Sequence, residues 1–259
     1  MQIPFFKYQG TGNDFIIIDN RTNTYDNLTT LQIKNLCHRN FGIGADGVIL
    51  LQLKKGYHFE MVYYNADGNL GTMCGNGARC IVQFAYDVGL QYNEYRFIAP
   101  DGEHIATTHN GLVQLLMKDV IKINCHTSYY TLNTGSPHYV TFVMDVKHTN
   151  VAKLGAEIRY NSTFVTEGIN VNFVETIASD LIYVRTYERG VEAETLSCGT
   201  GVTAAAIVAA NNTLGYNHVN VQTLGGNLSV NFFKNNDETY TKVWLNGAAS
   251  KVYNGIITI

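Results

Sequence analysis

Two four-residue units carry the chemistry this sequence offers: Cys74-Gly75-Asn76-Gly77 and Cys198-Gly199-Thr200-Gly201, each followed by an apolar run. A cysteine at a helix N-terminus faces the positive end of the dipole and N–H groups with no intrahelical partner. Both favour the thiolate, the reactive form of the side chain. The glycines let a ligand approach the backbone closely, and the same N–H groups can bind a carboxylate. One such unit is as readily a packed cysteine in a tight turn. Two of them, close to half the chain apart, form an internal repeat. Two facing halves would aim two thiols and two anion-binding helix ends into one cleft. That suits a reaction needing an acid and a base on opposite faces of a carbon next to a carboxylate.

The elements that must position these units are mostly strands. Phe5 to Asp19 alternates and is interrupted at Gly10-Thr11-Gly12-Asn13. Val48 to Leu53, His58 to Asn65, Leu112 to Met117, Tyr139 to Met144 and Ile182 to Tyr187 are β-branched or aromatic with polar or Gly-rich flanks. Two segments read as helices, Ala78 to Val88 and Val202 to Ala210. The second is nearly all small and apolar and is expected to be buried all round. A polar, turn-rich stretch at Thr107 to Gly111 sets the expected boundary. The halves are then residues 1–110, joined by a returning final strand within 247–259, and residues 111–246.

Composition narrows the function. Of 259 residues, 46% are apolar, which excludes a disordered chain, and only 15% are charged, against roughly 25% in an average domain. The net charge of −3 leaves no basic surplus to neutralise phosphates, so no nucleic-acid partner is expected. No apolar run approaches the roughly 18 residues of a spanning helix, and the first residues lack a signal peptide's pattern, so a cytoplasmic location with no membrane association is expected. The five cysteines, Cys37, Cys74, Cys80, Cys125 and Cys198, form no C-x-x-C pair and no compact ligand set, so no metal is expected. Gly42-Ile43-Gly44-Ala45-Asp46-Gly47 fits a dinucleotide fingerprint but precedes a strand. Gly199 to Ala204 opens a helix but lacks the acid about 20 residues on. Nucleotide binding is therefore not expected either.

The run Met73-Cys74-Gly75-Asn76-Gly77-Ala78-Arg79-Cys80, together with Glu188-Arg189-Gly190 and Glu194 to Gly201, resembles the diaminopimelate epimerase family. The resemblance covers the whole chain. Phe6 to Phe15 is similar to the family's opening motif; Gly42 to Gly47, Asn65-Ala66-Asp67-Gly68, Gly135-Ser136-Pro137-His138 and Gly168 to Phe173 match in order. It implies an α+β fold of two pseudo-symmetric barrel-like domains, each a mostly antiparallel sheet wrapped around a central helix. It also implies a homodimeric isomerase without cofactor that interconverts LL- and meso-2,6-diaminopimelate for lysine and peptidoglycan precursors. Cys74 and Cys198 would be the acid–base pair, with Glu188 near them and His138 tuning one thiol. Gly75, Asn76, Gly199 and Thr200 would hold the reacting carboxylate; Asn13, Asn65, Asn170, Glu188 and Arg189 would bind the far end of the substrate.

The sequence departs from the family pattern at Ser136, where many members have Asn, and at Gly47, where some have Gln. The segment from Arg189 to Cys198 is one residue longer than the commonest form, with Glu192 and Ala193 inside it. Cys37, Cys80 and Cys125 read as packing residues. Two other classes fit the residues: a racemase of the same fold acting on another amino acid, and a non-catalytic thiol switch or ligand-binding protein.

Overall fold

A computed structural model describes residues 1–210, 213–236 and 238–259. The chain divides into two compact units, Met1–Leu115 with Gly247–Ile259, and Leu116–Asn246.

In the first unit, β1 (Gln2–Gly10) and β2 (Asn13–Asp19) form a hairpin. Its two-residue turn, Thr11-Gly12, has positive φ at both positions (54° and 83°), the type I′ signature whose twist matches the flanking strands. The sheet continues through β3 (Gly47–Gln52), β4 (Phe59–Asn65), β5 (Tyr95–Ala99), β6 (Gly102–His109) and β7 (Leu112–Leu116). The pairings run β1·β2 antiparallel, β2·β3 parallel, β3·β4 antiparallel, β4·β5 parallel, and β5·β6 and β6·β7 antiparallel. Each parallel step needs a crossover. Helix α1 (Thr30–Cys37) makes the first and α2 (Gly75–Asp87) the second. The last strand, β17 (Ser250–Thr258), returns to pair with β1.

The second unit repeats this order. β8 (Ile123–Cys125), β9 (Tyr130–Asn133), β10 (Pro137–Phe142), β11 (Asn170–Ala178), β12 (Leu181–Glu188), β14 (Gly215–Thr223) and β15 (Gly226–Lys234) lie side by side. From β9 on, the pairings are antiparallel, parallel, antiparallel, parallel, antiparallel. The crossovers carry α3 (Val151–Arg159) and α4 (Gly199–Ala209); β13 (Ala193–Thr195) folds back on β12, and β16 (Tyr240–Ala248) follows β15.

Each unit wraps one helix. α2 packs against β1, β2, β3, β6 and β17; α4 packs against β9, β10, β11, β12, β14 and β15. α4 buries Gly199 and every residue from Gly201 to Ile207, so its small, mostly apolar composition is explained, and the one buried hydroxyl, of Thr203, bonds back to the Gly199 carbonyl. The opposite sheet faces are covered by the other two helices. α1 packs Ile33, Leu36 and Cys37 on Ile16, Ile18, Val48 and Leu50; α3 packs Val151 on Val171, Phe173 and Tyr187. β2 and β3 are therefore buried on both faces, which is why Phe15–Ile18 and Val48–Leu51 read as continuous apolar runs rather than alternating ones.

Three expectations need correction. Both long helices begin three residues earlier than the apolar pattern indicates, at Gly75 and Gly199. α1 and α3 were not expected. Cys125 is exposed on the short strand β8 and does not pack. Among the described residues, no helix is long and apolar enough to cross a membrane.

Candidate active site

In each unit the topology brings one set of residues to one end of the sheet. A parallel pair starts at the same end, and the next antiparallel strand finishes there. In the first unit β2 starts at Asn13, β3 starts at Gly47, β4 ends at Asn65 opposite Gly47, and α2 starts after Cys74. In the second, β10 starts at Pro137, β11 starts at Asn170, β12 ends at Glu188, and α4 starts after Cys198. The two cysteines hold equivalent positions in the repeat.

Both are N-cap residues in extended conformation, Cys74 at φ −110°, ψ 121° and Cys198 at φ −114°, ψ 111°. Neither side chain caps its own helix. Their carbonyls accept the first helical bonds, from Ala78 at 2.7 Å and Val202 at 2.8 Å. The N–H groups of Gly75 and Asn76, and of Gly199 and Thr200, therefore belong to first turns, where intrahelical acceptors are lacking. Glycine and asparagine are poor helix interiors but cost little here, because first-turn positions have no intrahelical N–H bond to lose.

Around Cys74, the sulfur donates to Asn13 Oδ1 at 3.5 Å, and Asn76 Nδ2 donates to the same oxygen at 3.3 Å. Asn13 Nδ2 donates to Asp46 Oδ2. Fully buried Arg79 donates through Nη2 to Asn76 Oδ1 at 3.0 Å and Thr11 Oγ1 at 2.5 Å. Asn65 is exposed at the end of β4. Cys37 and Cys80, in contrast, are buried thiols pushed up to about 12 by desolvation, which keeps them protonated and inert.

Around Cys198, the sulfur lies 3.4 Å from Thr200 Oγ1. The Thr200 carbonyl accepts from Thr134 Oγ1 at 2.8 Å, and the Gly199 carbonyl from Thr203 Oγ1 at 2.9 Å. Asn170 is buried and occupied: Nδ2 donates to Ser136 Oγ at 2.9 Å and the Pro137 carbonyl at 3.1 Å, and Oδ1 accepts from the Arg189 backbone at 2.9 Å. The Arg189 guanidinium donates to the Glu167 carbonyl at 2.9 Å and to Ser136 Oγ at 3.4 Å. Ser136 thus joins two of the expected binding residues. Burial raises the Glu188 carboxyl above its ordinary range, and the Thr195 hydroxyl offsets part of that. The longer segment after Arg189 is a tight hairpin: Glu192 N donates to the Glu188 carbonyl at 2.8 Å, and Glu192, at φ 56°, pairs with Arg159 at 3.4 Å.

His138 is completely buried. Its Nδ1 lies 3.1 Å from Asn172 Nδ2, which makes Nδ1 the acceptor and places the proton on Nε2, which is buried and has no hydrogen-bond partner among the described residues. Desolvation, helped by the charge of Arg189, pushes the ring down to about 3. The unfolded imidazole titrates near ~6.5, so between these values the unfolded chain binds the extra proton. Stability from this group is complete above pH ~6.5 and is lost as pH falls toward 3. An NMR titration of the native protein is expected to show the His138 ring neutral throughout the ordinary histidine range; a midpoint near ~6.5 would contradict its burial.

Sequence reasoning assigned no role to Asn172, Asp46, Arg79 or Thr134. Asn172 is fully buried, donating to the Tyr139 carbonyl at 2.9 Å and accepting from Thr186 Oγ1 at 2.9 Å. A Cβ on Gly201 would stand 2.3 Å from its Oδ1. Because Asn172 is tied on three sides, Gly201→Ala is expected to cost about 2 kcal/mol and to lower Tm by about 4–8 °C. Calorimetry checks this.

The architecture is that of a known fold. It is similar to a solved phenazine biosynthesis protein of the PhzF family from Bacillus anthracis, with TM-score 0.74, 14% identity and all of both chains covered. It is also similar to a probable proline racemase from Agrobacterium radiobacter, with TM-score 0.65, 13% identity, and 99% of this chain and 92% of that one covered. At such identities the likeness is of fold alone.

The sequence goes further. Residues 5–123 and 130–252 match the profile of the family described as diaminopimelate epimerase. The diaminopimelate epimerase of Flavobacterium psychrophilum is 47% identical over 253 residues, covering 97% of this chain and 98% of the relative. That of Chlorobaculum tepidum is 42% identical over 265 residues, covering 96% and 99%. The chain belongs to the diaminopimelate epimerase family and is an isomerase.

Proposed function

We propose that this chain interconverts LL- and meso-2,6-diaminopimelate through two cysteines, without cofactor or metal, in the supply of lysine and of peptidoglycan precursors. The observation that carries the reading is the equivalent placement of Cys74 and Cys198, each the N-cap of a helix wrapped by its own sheet. One sulfur, as thiolate, takes the α-proton; the other, as thiol, gives a proton to the opposite face of the resulting carbanion. The reaction leaves the first protonated and the second ionised, so the reverse direction uses the same groups with roles exchanged. An amino-acid α-proton is very weakly acidic, and the carbanion needs preorganised donors. The first-turn N–H groups of Gly75, Asn76, Gly199 and Thr200 would supply them to the reacting carboxylate.

The far end of the substrate would be read by charge. Arg189 spends two donors on Glu167 and Ser136; the rest of its planar fork suits a carboxylate. Glu188 would accept from the distal ammonium, with Asn13, Asn65 and Asn170 shaping the site. His138, neutral and carrying its proton on Nε2, would act on a thiol as a hydrogen-bond donor. The working protein would be a cytoplasmic homodimer. The test is purified protein with reductant and no pyridoxal phosphate, assayed on diaminopimelate and on a panel including proline, hydroxyproline and glutamate. Turnover of diaminopimelate alone supports the reading. Turnover of another amino acid, or binding with no loss of α-protium to deuterated water, overturns it.

A further inference from the structure

Asp46 and Arg79 stand at the two ends of one hydrogen-bond chain that passes the Cys74 sulfur. Asp46 Oδ2 accepts from Asn13 Nδ2; Asn13 Oδ1 accepts from Asn76 Nδ2 and from Cys74 Sγ; Asn76 Oδ1 accepts from Arg79 Nη2. A carboxylate only accepts and a guanidinium only donates. With an anion at one end and a cation at the other, both amides have a single orientation in which every link is a donor meeting an acceptor. The ends are themselves fixed. Asp46 also accepts from Asp14 N at 3.1 Å and from Arg39 Nη2 at 2.7 Å. Arg79 is fully buried, bonded to Thr11 Oγ1, and among the described residues no carboxylate pairs with it.

We infer that Asp46 and Arg79 are positioning residues that lock the Asn13 amide with its oxygen toward Cys74, so that this side chain rests as the thiol, ready to give a proton. An acceptor facing sulfur stabilises S–H and repels S⁻; the amide's nitrogen in its place would do the reverse. The inference rests on the reading of Cys74 as a proton-transfer group and specifies its resting state. The helix end and the buried Arg79 charge pull Cys74 the other way, toward thiolate, and the Asn13 oxygen opposes them; the other neighbouring charges are few. Asp14 is held by Lys7 at 2.6 Å and Arg39 at 2.8 Å. Cys80 is a buried neutral thiol. His104 on β6 pairs with Asp101, and Lys251 on β17 lies over the Phe6 ring. Asp87, bonded to Tyr8, closes the far end of α2, about 20 Å along the axis from Cys74.

Asp46→Asn replaces an obligate acceptor by an amide. An amide cannot accept both at the position facing Arg39 and at the position facing Asp14 N and Asn13 Nδ2, so the orientation of Asn13 is no longer fixed and its nitrogen is free to turn to Cys74. Loss of the negative charge alone would move Cys74 the same way, so the experiment is a cycle: the full-length protein, Asp46→Asn, Asn13→Ala and the double variant. Alkylation of the Cys74 peptide by iodoacetamide is followed against pH by mass spectrometry, with exposed Cys125 reporting the reagent's own pH dependence. Asp46 is partly exposed, so the variants are expected to fold; Tm is recorded for each. With Asn13 present, Asp46→Asn is expected to lower the Cys74 midpoint by about half to one pH unit, the scale of one hydrogen bond exchanged for its opposite. In the Asn13→Ala background the shift is expected to be less than half as large. Equal shifts in both backgrounds, no shift, or an upward shift would overturn the inference. The labelling does not require turnover, so its failure is distinct from a failure of the proposed reaction.

Discussion

Cys198→Ala and Cys74→Ala proteins are each expected to lose epimerisation of diaminopimelate by about 10³-fold or more, because each lacks the proton donor or acceptor for one face. A positioned general acid or base is worth about 10²–10⁴-fold, and no other thiol can substitute. Cys37 and Cys80 are buried and held protonated by desolvation, and Cys125 lies exposed on β8. Cys→Ser keeps the shape but offers a far weaker acid, which the helix end cannot fully rescue. Those variants are expected to epimerise very slowly while retaining proton exchange from one face. Cys37→Ala and Cys80→Ala should leave turnover nearly intact, with about 1 kcal/mol lost in stability, and Cys125→Ala should change neither. Steady-state rates with urea melts check all seven variants. Full activity in a protein lacking Cys198 would reduce α4 to a packing element.

Arg189→Met is the second large effect. Its guanidinium is held by the Glu167 carbonyl and Ser136, and its backbone by Asn170. If Arg189 holds the distal carboxylate as proposed, removing that charge-assisted, bidentate contact should lower kcat/KM by about 10²-fold, since such bonds are worth ~1.5–3 kcal/mol and leave a carboxylate unpaired when lost. Arg189→Lys keeps the charge but not the fork and is expected to recover only part of that. The loss should be carried mainly by KM. A loss carried wholly by kcat, with KM unchanged, would place Arg189 in the proton-transfer step instead.

The two wrapped helices are legible because a Cys-Gly-x-Gly unit precedes an apolar run in both halves. Their first turns are not, since glycine-rich sequence reads as loop until the cysteine is seen to be the N-cap. α1 buries only Ile33, Leu36 and Cys37 and offers little periodicity, although its Thr29/Gln32 capping box was available in the sequence. α3 buries only Val151 and Gly155, too few to mark a face. The parallel pairs β2·β3 and β10·β11 join segments across whole helices, and nothing local announces them. The site shows the same division. Cys74, Asn76 and Arg79 share one motif, but the contacts that orient them, Asn13 to Asp46 and Arg79 to Thr11, span 33 and 68 residues. Asn172 was visible within its motif, yet its ties to His138, Tyr139 and Thr186 appear only once β10, β11 and β12 are paired.

The most direct test of two thiols acting on separate faces is the fate of the α-proton in deuterated water. LL-diaminopimelate is incubated with the protein, and early product and unreacted substrate are separated and read by mass spectrometry and NMR. Two separate bases predict that the first meso product carries deuterium at the inverted carbon while recovered LL substrate carries none. Protium retained in the product, or deuterium entering recovered substrate as fast as product forms, would show a single base serving both faces and would contradict the account.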